Sequence, residues 1–193
     1  MPYRVAILTS SPNKDGLTAA CGDAAKRGAE GAGAAIDAID LNSFDVGRCR
    51  ACGTGYGTCR TDHRCQTQDD FGHLHERLLS ADAYIVISPV YWGDLSESAK
   101  AFLDRVRRCE ATAREGSRLA GKPCIGVAAA GGSGNGTVTC LFTLQQFFNH
   151  VRSSVFDLIT ITRKSREYKL AAIESATRAM VEHSFHEPRG RTS

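Results

Sequence analysis

Four cysteines fall within seventeen residues, Cys49, Cys52, Cys59 and Cys65, spaced C-x2-C-x6-C-x5-C and followed by Asp69-Asp70. Clustered thiolates can ligate an iron–sulfur cluster or a tetrahedral zinc ion, and a C-x2-C pair can cycle between dithiol and disulfide. All three chemistries stay open on spacing alone. His63 could replace one sulfur at a zinc site, although a histidine in a polar loop is more often simply exposed. The other four cysteines (Cys21, Cys109, Cys124 and Cys140) are scattered. They read as buried, inert thiols.

Three further segments have unusual composition. Thr9-Ser10-Ser11-Pro12-Asn13-Lys14-Asp15-Gly16-Leu17-Thr18 runs from an apolar stretch directly into an amphipathic one. Such a turn offers backbone N–H groups and the positive end of a helix dipole to an anion. Ser10, Ser11 and Thr18 could add hydroxyl donors to phosphate oxygens. A polar capping turn uses the same residues. Neither GxxxxGK[ST] nor GxGxxG is present, so a nucleoside-triphosphate loop and a dinucleotide pyrophosphate loop are both unsupported. Ser88-Pro89-Val90-Tyr91-Trp92-Gly93-Asp94-Leu95 sets two aromatics beside a proline and a glycine, a flat wall for a planar ring or a patch for packing. Gly131-Gly132-Ser133-Gly134-Asn135-Gly136 has four glycines in six residues, which permits close backbone approach to a ligand. Thr137 reads as the cap of the helix that follows.

The elements that must position these loops alternate strictly. Predicted strands are Arg4–Thr9, Ala34–Asp40, Ala83–Ser88, Pro123–Ala130 and Val155–Thr162, and predicted helices are Leu17–Gly31, Phe71–Leu79, Ser96–Arg108, Thr137–His150 and Ser165–Phe185. Short, nearly continuous apolar runs suit parallel strands buried on both faces, and parallel strands need helical crossovers. Ser96, followed by the Phe102, Leu103, Val106 stripe, predicts a capped amphipathic helix. The expected fold class is α/β, a doubly wound five-stranded parallel sheet of order 2-1-3-4-5. The chain reads as a single flavodoxin-like domain, residues 1–193, with a cysteine-rich insertion at about 48–70. In that order ligands bind beyond the carboxyl ends of the strands, where strands 1 and 3 diverge. The three unusual loops all belong there.

Bulk properties narrow the function classes. A net charge of +3, with scattered Arg105, Arg107, Arg108, Arg114 and Arg118, reads as a solvated mixed surface and argues against nucleic acid. Val5–Leu8 is too short for a signal-peptide core, and no stretch approaches the roughly 20 apolar residues of a spanning helix. The expectation is therefore a cytoplasmic protein without a membrane partner, whose cysteines stay reduced. His73, His75 and His150, and the basic start of the last helix, read as surface.

On three of these segments the sequence resembles the NADPH-dependent FMN reductase group of flavodoxin-like proteins, particularly its cysteine-bearing branch, the iron–sulfur flavoproteins. SSPNKDGLT stands at the family's GSPR-x-x-GNT-like phosphate loop, SPVYWGDLSESAKAFLDR at its PVY-type flavin loop and helix, and AAAGGSGNGT at its glycine-rich third loop. Ser10, Asn13 and Leu17 replace the family's Gly, Arg and second Asn. Without the Arg a bidentate phosphate contact is missing, and Lys14 can substitute only as a point charge. The branch spaces its cysteines C-x2-C-x2-C before a fourth; here the third position is Gly55, and Cys59 reaches the group only if the Gly53–Thr58 loop folds back.

The resemblance implies an FMN-dependent oxidoreductase with NAD(P)H as electron donor. Its acceptor would be a flavin, a quinone, a small organic molecule or the cysteine-bound centre. It places FMN on Ser10, Ser11, Asn13, Gly16 and Thr18, on Pro89, Val90, Tyr91, Trp92 and Gly93, and on Gly131, Gly132, Ser133 and Gly136. Asp94 and Asn135 would shape the pocket. A [4Fe-4S] cluster or zinc would sit on Cys49, Cys52, Cys59 and Cys65. No residue is nominated as a general acid or base, because the cofactor carries the chemistry. A homodimer or homotetramer is expected, with the aromatics near Tyr91 and the Phe147-Phe148 pair as candidate interface residues; core packing is the competing reading for both. Two other classes compete: a non-enzymatic flavin and iron–sulfur electron carrier between redox partners, and a binding domain with a structural zinc clip.

Overall fold

The computed structural model describes residues 2–111 and 116–186; Arg114 lies outside them. Five strands, β1 (Arg4–Thr9), β2 (Ala35–Asp40), β3 (Ala83–Pro89), β4 (Pro123–Ala130) and β5 (Ser154–Thr162), form one parallel sheet ordered β2-β1-β3-β4-β5. The helices are α1 (Leu17–Gly31), α2 (Thr58–Thr61), α3 (Phe71–Ser80), α4 (Glu97–Glu110), α5 (Thr137–His150) and α6 (Arg166–His186). The order matches the sequence expectation, and the strand limits agree to within a residue. The continuous apolar runs explain why: every residue of β3 is buried, as an inner parallel strand requires. The single turn α2 and a 3-10 turn at Leu41–Ser43 were not expected.

Two apolar layers sandwich the sheet. On one face α1 and α6 pack with Val5, Ile7, Ile85, Ile87 and Val127. On the other, α3, α4 and α5 supply Leu74, Leu78, Phe102, Val106, Leu144 and Phe148 against Ala6, Leu8, Tyr84 and Val86. The α1–α6 contact is close enough to need glycine, since a Cβ on Gly28 would lie 2.3 Å from the Glu174 carbonyl oxygen. Ser96 caps α4 as expected, its side chain accepting from the Ala99 N–H. Cys21, Cys109, Cys124 and Cys140 are buried, and desolvation pushes each thiol up to about 12, as inert core thiols require.

Four sequence readings change, two of them from surface to interior. Of the two readings of Phe147 and Phe148, core packing holds: both are on the buried side of α5 and are not offered to a partner. Thr137 is the first residue of α5, not its cap; Gly136 caps in a left-handed conformation, and the Thr137 hydroxyl donates to the Gly134 carbonyl. Arg105 is not solvated but 1% exposed. His75 is buried too, with its Nε2 3.0 Å from Oε1 of buried Glu110. Burial raises the Glu110 carboxyl, but His75, the Arg118 backbone N–H and the Arg118 charge outweigh it and hold the group below its ordinary range.

Two predictions follow from this packing. Gly28→Ala forces α1 away from the α6 backbone and should cost about 1–3 kcal/mol in urea unfolding followed by far-UV circular dichroism. Glu110→Gln should destabilise the protein at neutral pH. Because the folded carboxyl titrates below the unfolded one, the gap between variant and parent is full above the ordinary glutamate range. It closes as pH falls through the lower folded value, which unfolding curves across acidic pH would read.

Candidate functional site

The loop from Ser10 to Gly16 leaves β1 and enters α1 by local side-chain turns. Ser11 Oγ accepts from Asn13 N at 3.2 Å, and Asn13 Oδ1 accepts from Asp15 N at 3.2 Å. Gly16 is the N-cap in extended conformation; it brings no side-chain cap, and the first turn of α1 carries no acidic residue. That turn therefore keeps its backbone donors and positive dipole end for an anion. Ser10 faces elsewhere: its buried hydroxyl donates to the Ile87 carbonyl at 3.3 Å, tying the loop to β3. Its backbone oxygen accepts from Ser98 of α4 at 3.3 Å. Ser11, Asn13 and Thr18 line a pocket of about 260 Å³. Lys14 lines it too, but its ammonium lies 3.5 Å from Asp40 and 3.4 Å from the Ser43 hydroxyl. The missing arginine contact is thus not simply made good by Lys14.

The other two loops touch. Residues Tyr91–Asp94 close a tight turn, with Tyr91 N donating to Asp94 O at 2.9 Å and Asp94 N to Tyr91 O at 3.0 Å. Both central residues have positive φ, 52° at Trp92 and 81° at Gly93, the pattern of a type I′ turn. For Trp92 that conformation costs about 1–2 kcal/mol, yet its side chain is fully exposed. Strain of this kind gathers at ligand sites. Gly136 sits so close that a Cβ there would lie 2.5 Å from Gly93 Cα, and Thr139 Oγ1 donates to the Gly93 carbonyl at 2.7 Å. Val90 N donates to the Ala129 carbonyl at 3.0 Å, which joins Pro89-Val90 to the end of β4. Gly131, Gly132 and Ser133 are exposed on the rim. The predicted ring wall and glycine loop therefore form one assembly at the carboxyl ends of β3 and β4. The glycine pair and the open helix start suit a flavin mononucleotide: close backbone approach for the ring and donors for the phosphate.

The cysteine segment folds back over α4. Cys49, Cys52, Cys59 and Cys65 line one cavity of about 20 Å³, with Arg105 and Arg108 in its wall. The reversal uses left-handed residues, Gly53 at φ 59° and Gly55 at φ 116°, as the glycine content foretold. Ala51 (φ 45°) and His63 (φ 54°) adopt the same region without the freedom of glycine. Arg108 donates to the Gly55 carbonyl at 2.5 Å and lies over the Tyr56 ring. His63 is engaged elsewhere, its Nδ1 3.1 Å from the Cys109 carbonyl oxygen. None of the eight cysteines is disulfide-bonded. Among the described residues no three His, Cys, Asp or Glu side chains are placed to hold a metal ion, so the pocket gathers the sulfurs without closing them on a centre. The donor set fits a thiolate-ligated centre in its chemistry: four sulfurs, with cationic side chains in the wall to offset their charge.

Sequence reasoning missed Arg105, Asp69 as its partner, and Thr139. Arg105 pairs with Asp69 through Nη1–Oδ2 at 2.6 Å and Nη2–Oδ1 at 2.9 Å, and its Nη2 also donates to Cys65 Sγ at 3.3 Å. Burial raises the Asp69 carboxyl, but Arg105 and the Gly47 and Phe71 N–H groups outweigh it and hold the group below its ordinary range. The spacing of Cys65 and Asp69 was visible; that an arginine from α4 would reach both was not.

The Gly93–Gly136 contact yields a prediction. Gly136→Ala adds a Cβ against Gly93 in a left-handed residue. The loops can part to relieve that strain, and FMN binding must then restore it. Titration with FMN should show affinity reduced by roughly tenfold or more, equivalent to about 1.4 kcal/mol.

Comparison with known proteins agrees with this geometry. An iron–sulfur flavoprotein of Archaeoglobus fulgidus is 31% identical over 99 residues, covering 51% of this chain and 43% of that protein. One from Methanosarcina thermophila is 30% identical over 102 residues, covering 53% and 51%. The chain thus spans about half the length of these curated relatives. In fold it is similar to an NAD(P)H:quinone oxidoreductase from Methanothermobacter marburgensis, with a TM-score of 0.70 at 20% identity over 93% of this chain and 98% of that one. An archaeal flavodoxin superposes with a TM-score of 0.63 at 14% identity, covering 95% and 99%. The model of the NADPH-dependent FMN reductase family matches residues 3–163, and with its flavodoxin-like sheet the chain belongs to that family.

Proposed function

We propose that the protein is an FMN-dependent oxidoreductase that draws electrons from NAD(P)H and delivers them to a flavin, a quinone, a small organic acceptor or a centre bound on the cysteine loop. The observation that carries the reading is the Gly93–Gly136 contact, which joins a strained aromatic turn to a glycine loop beside an uncapped helix start. When bound, FMN supplies hydride acceptance and onward electron transfer. The chain's own residues bind and orient. The first turn of α1, with Gly16, Ser11, Asn13 and Thr18, holds the phosphate. Pro89-Val90 and Tyr91-Trp92-Gly93 set one side of the ring, and Gly131, Gly132, Ser133 and Gly136 border it. No side chain is required as a general acid or base, since hydride transfer depends on position.

Cys49, Cys52, Cys59 and Cys65 would hold an iron–sulfur cluster, which accepts electrons, or zinc, which would serve only to clip the loop. A reducing cytoplasm suits so many unbridged thiols. Among the described residues no helix is long and apolar enough to cross a membrane. A homodimer or homotetramer belongs to the same proposal: Trp92 is exposed, as are Val138 and Phe142 on α5, the helix that Thr139 ties to Gly93.

The test is an absorption spectrum of anaerobically purified protein, with flavin, iron, zinc and sulfide analysis and NAD(P)H turnover against quinone and flavin acceptors. Flavin copurifying with, or taken up by, the protein, together with acceptor-dependent NAD(P)H oxidation, is the expected result. Absence of flavin after reconstitution overturns the proposal. Flavin reduced by a protein donor but not by NAD(P)H would select an electron carrier instead.

A further inference from the structure

Arg105 has five N–H donors, and their allocation is nearly complete. Nη1 gives one to the Gly47 carbonyl at 3.0 Å and one to Asp69 Oδ2 at 2.6 Å; Nη2 gives one to Asp69 Oδ1 at 2.9 Å. The guanidinium lies over the Phe71 ring, 4.1 Å from its centroid. These contacts fix the plane and the rotation of the fork. The remaining Nη2 hydrogen then has one acceptor, Cys65 Sγ at 3.3 Å. Nε is buried with no partner, a cost that the orientation tolerates. A charge anchoring a loop to Asp69 alone would not need this geometry. The fork aims a donor at one sulfur of the pocket.

We infer that Arg105 is the positioning residue for Cys65, and that its Nη2–H hydrogen bond to the sulfur governs how tightly the four-cysteine site keeps its centre and, where that centre is an iron–sulfur cluster, how readily it is reduced. The inference rests on the proposed reading of the cysteine loop. Outer partners of metal ligands orient them and commonly alter metal retention by about 10–100-fold. A donor to a ligating sulfur also withdraws electron density, so the more negative, reduced form gains most and the reduction potential rises. Arg105 enters from α4, whose Ser98 bonds the phosphate loop. Seven residues separate the two, a rise of about 10 Å. The same helix therefore sets the place of both sites.

Arg105→Lys separates the two roles. Lysine can keep a cation beside Asp69, but it has no fork to reach Cys65 as well. The wild-type chain and R105K are reconstituted anaerobically with iron and sulfide, and separately with zinc. Metal per chain, the rate of loss to a chelator and, for an iron–sulfur product, the midpoint potential are then read. Expected are retention weaker by about 10–100-fold and a lower potential in R105K, with FMN uptake and circular dichroism unchanged. In a Cys65→Ser background R105K should add little further loss, because the residue acts through that sulfur. If R105K fails to fold, R105M/D69N removes both buried charges together and is read the same way. Wild-type retention and potential in R105K overturn the inference, as does a wild-type chain that takes up neither centre. A chain that binds no FMN but shows the R105K effect overturns the flavin reading and leaves the role of Arg105 standing.

Discussion

A guanidinium removed from water must find its counter-charge and hydrogen-bond acceptors where it lies. On α4, at Arg105, that requirement draws together segments far apart in sequence: Gly47 at the entry of the cysteine segment, Cys65 at its far end, and Asp69 before α3. The two ends of a long loop are thereby clamped to one helix. Without that clamp the segment would be a surface excursion rich in glycine and polar residues, with little apolar area of its own to bury. Arg108, one turn further on, holds the middle of the same loop through Gly55 and Tyr56. The cysteine pocket is thus the product of two arginines on one helix face.

The flavin crevice depends on a different constraint, close backbone approach. Chain reversal between β1 and β3 opens the crevice, as the order β2-β1-β3-β4-β5 requires. Its shape comes from Gly93 against Gly136 and from the unusual backbone of Trp92. The Ser10 hydroxyl, expected to meet a phosphate, instead pins the phosphate loop to Ile87, so that loop is placed by the strand that carries the aromatic turn. Ser98 adds a second tie from α4. One helix therefore braces both the crevice and the pocket.

The sheet and most helix limits were legible because they follow from local pattern: buried parallel strands read as continuous apolar runs, and Ser96 with its apolar stripe reads as a helix start. The glycine loops were legible for the same reason, since conformational freedom belongs to the residue itself. What escaped was tertiary. Arg105 looks like any helix arginine until α3 and the cysteine loop cover it, and His75 looks solvated until Glu110 arrives from α4. Phe147 and Phe148 left interface and core packing both open, because adjacent aromatics carry no sign of which neighbour covers them; the fold buries both. Gly136 took the cap from Thr137 because the contact with Gly93 demands a left-handed glycine there.

Trp92 is the one tryptophan in the chain, and it stands wholly in solvent at the tip of the aromatic turn. In an unassociated chain its emission is therefore that of a water-exposed indole before unfolding as well as after. The protein carries a built-in optical reporter that is nearly silent on the state of the core, but it sits where an arriving flavin would quench it.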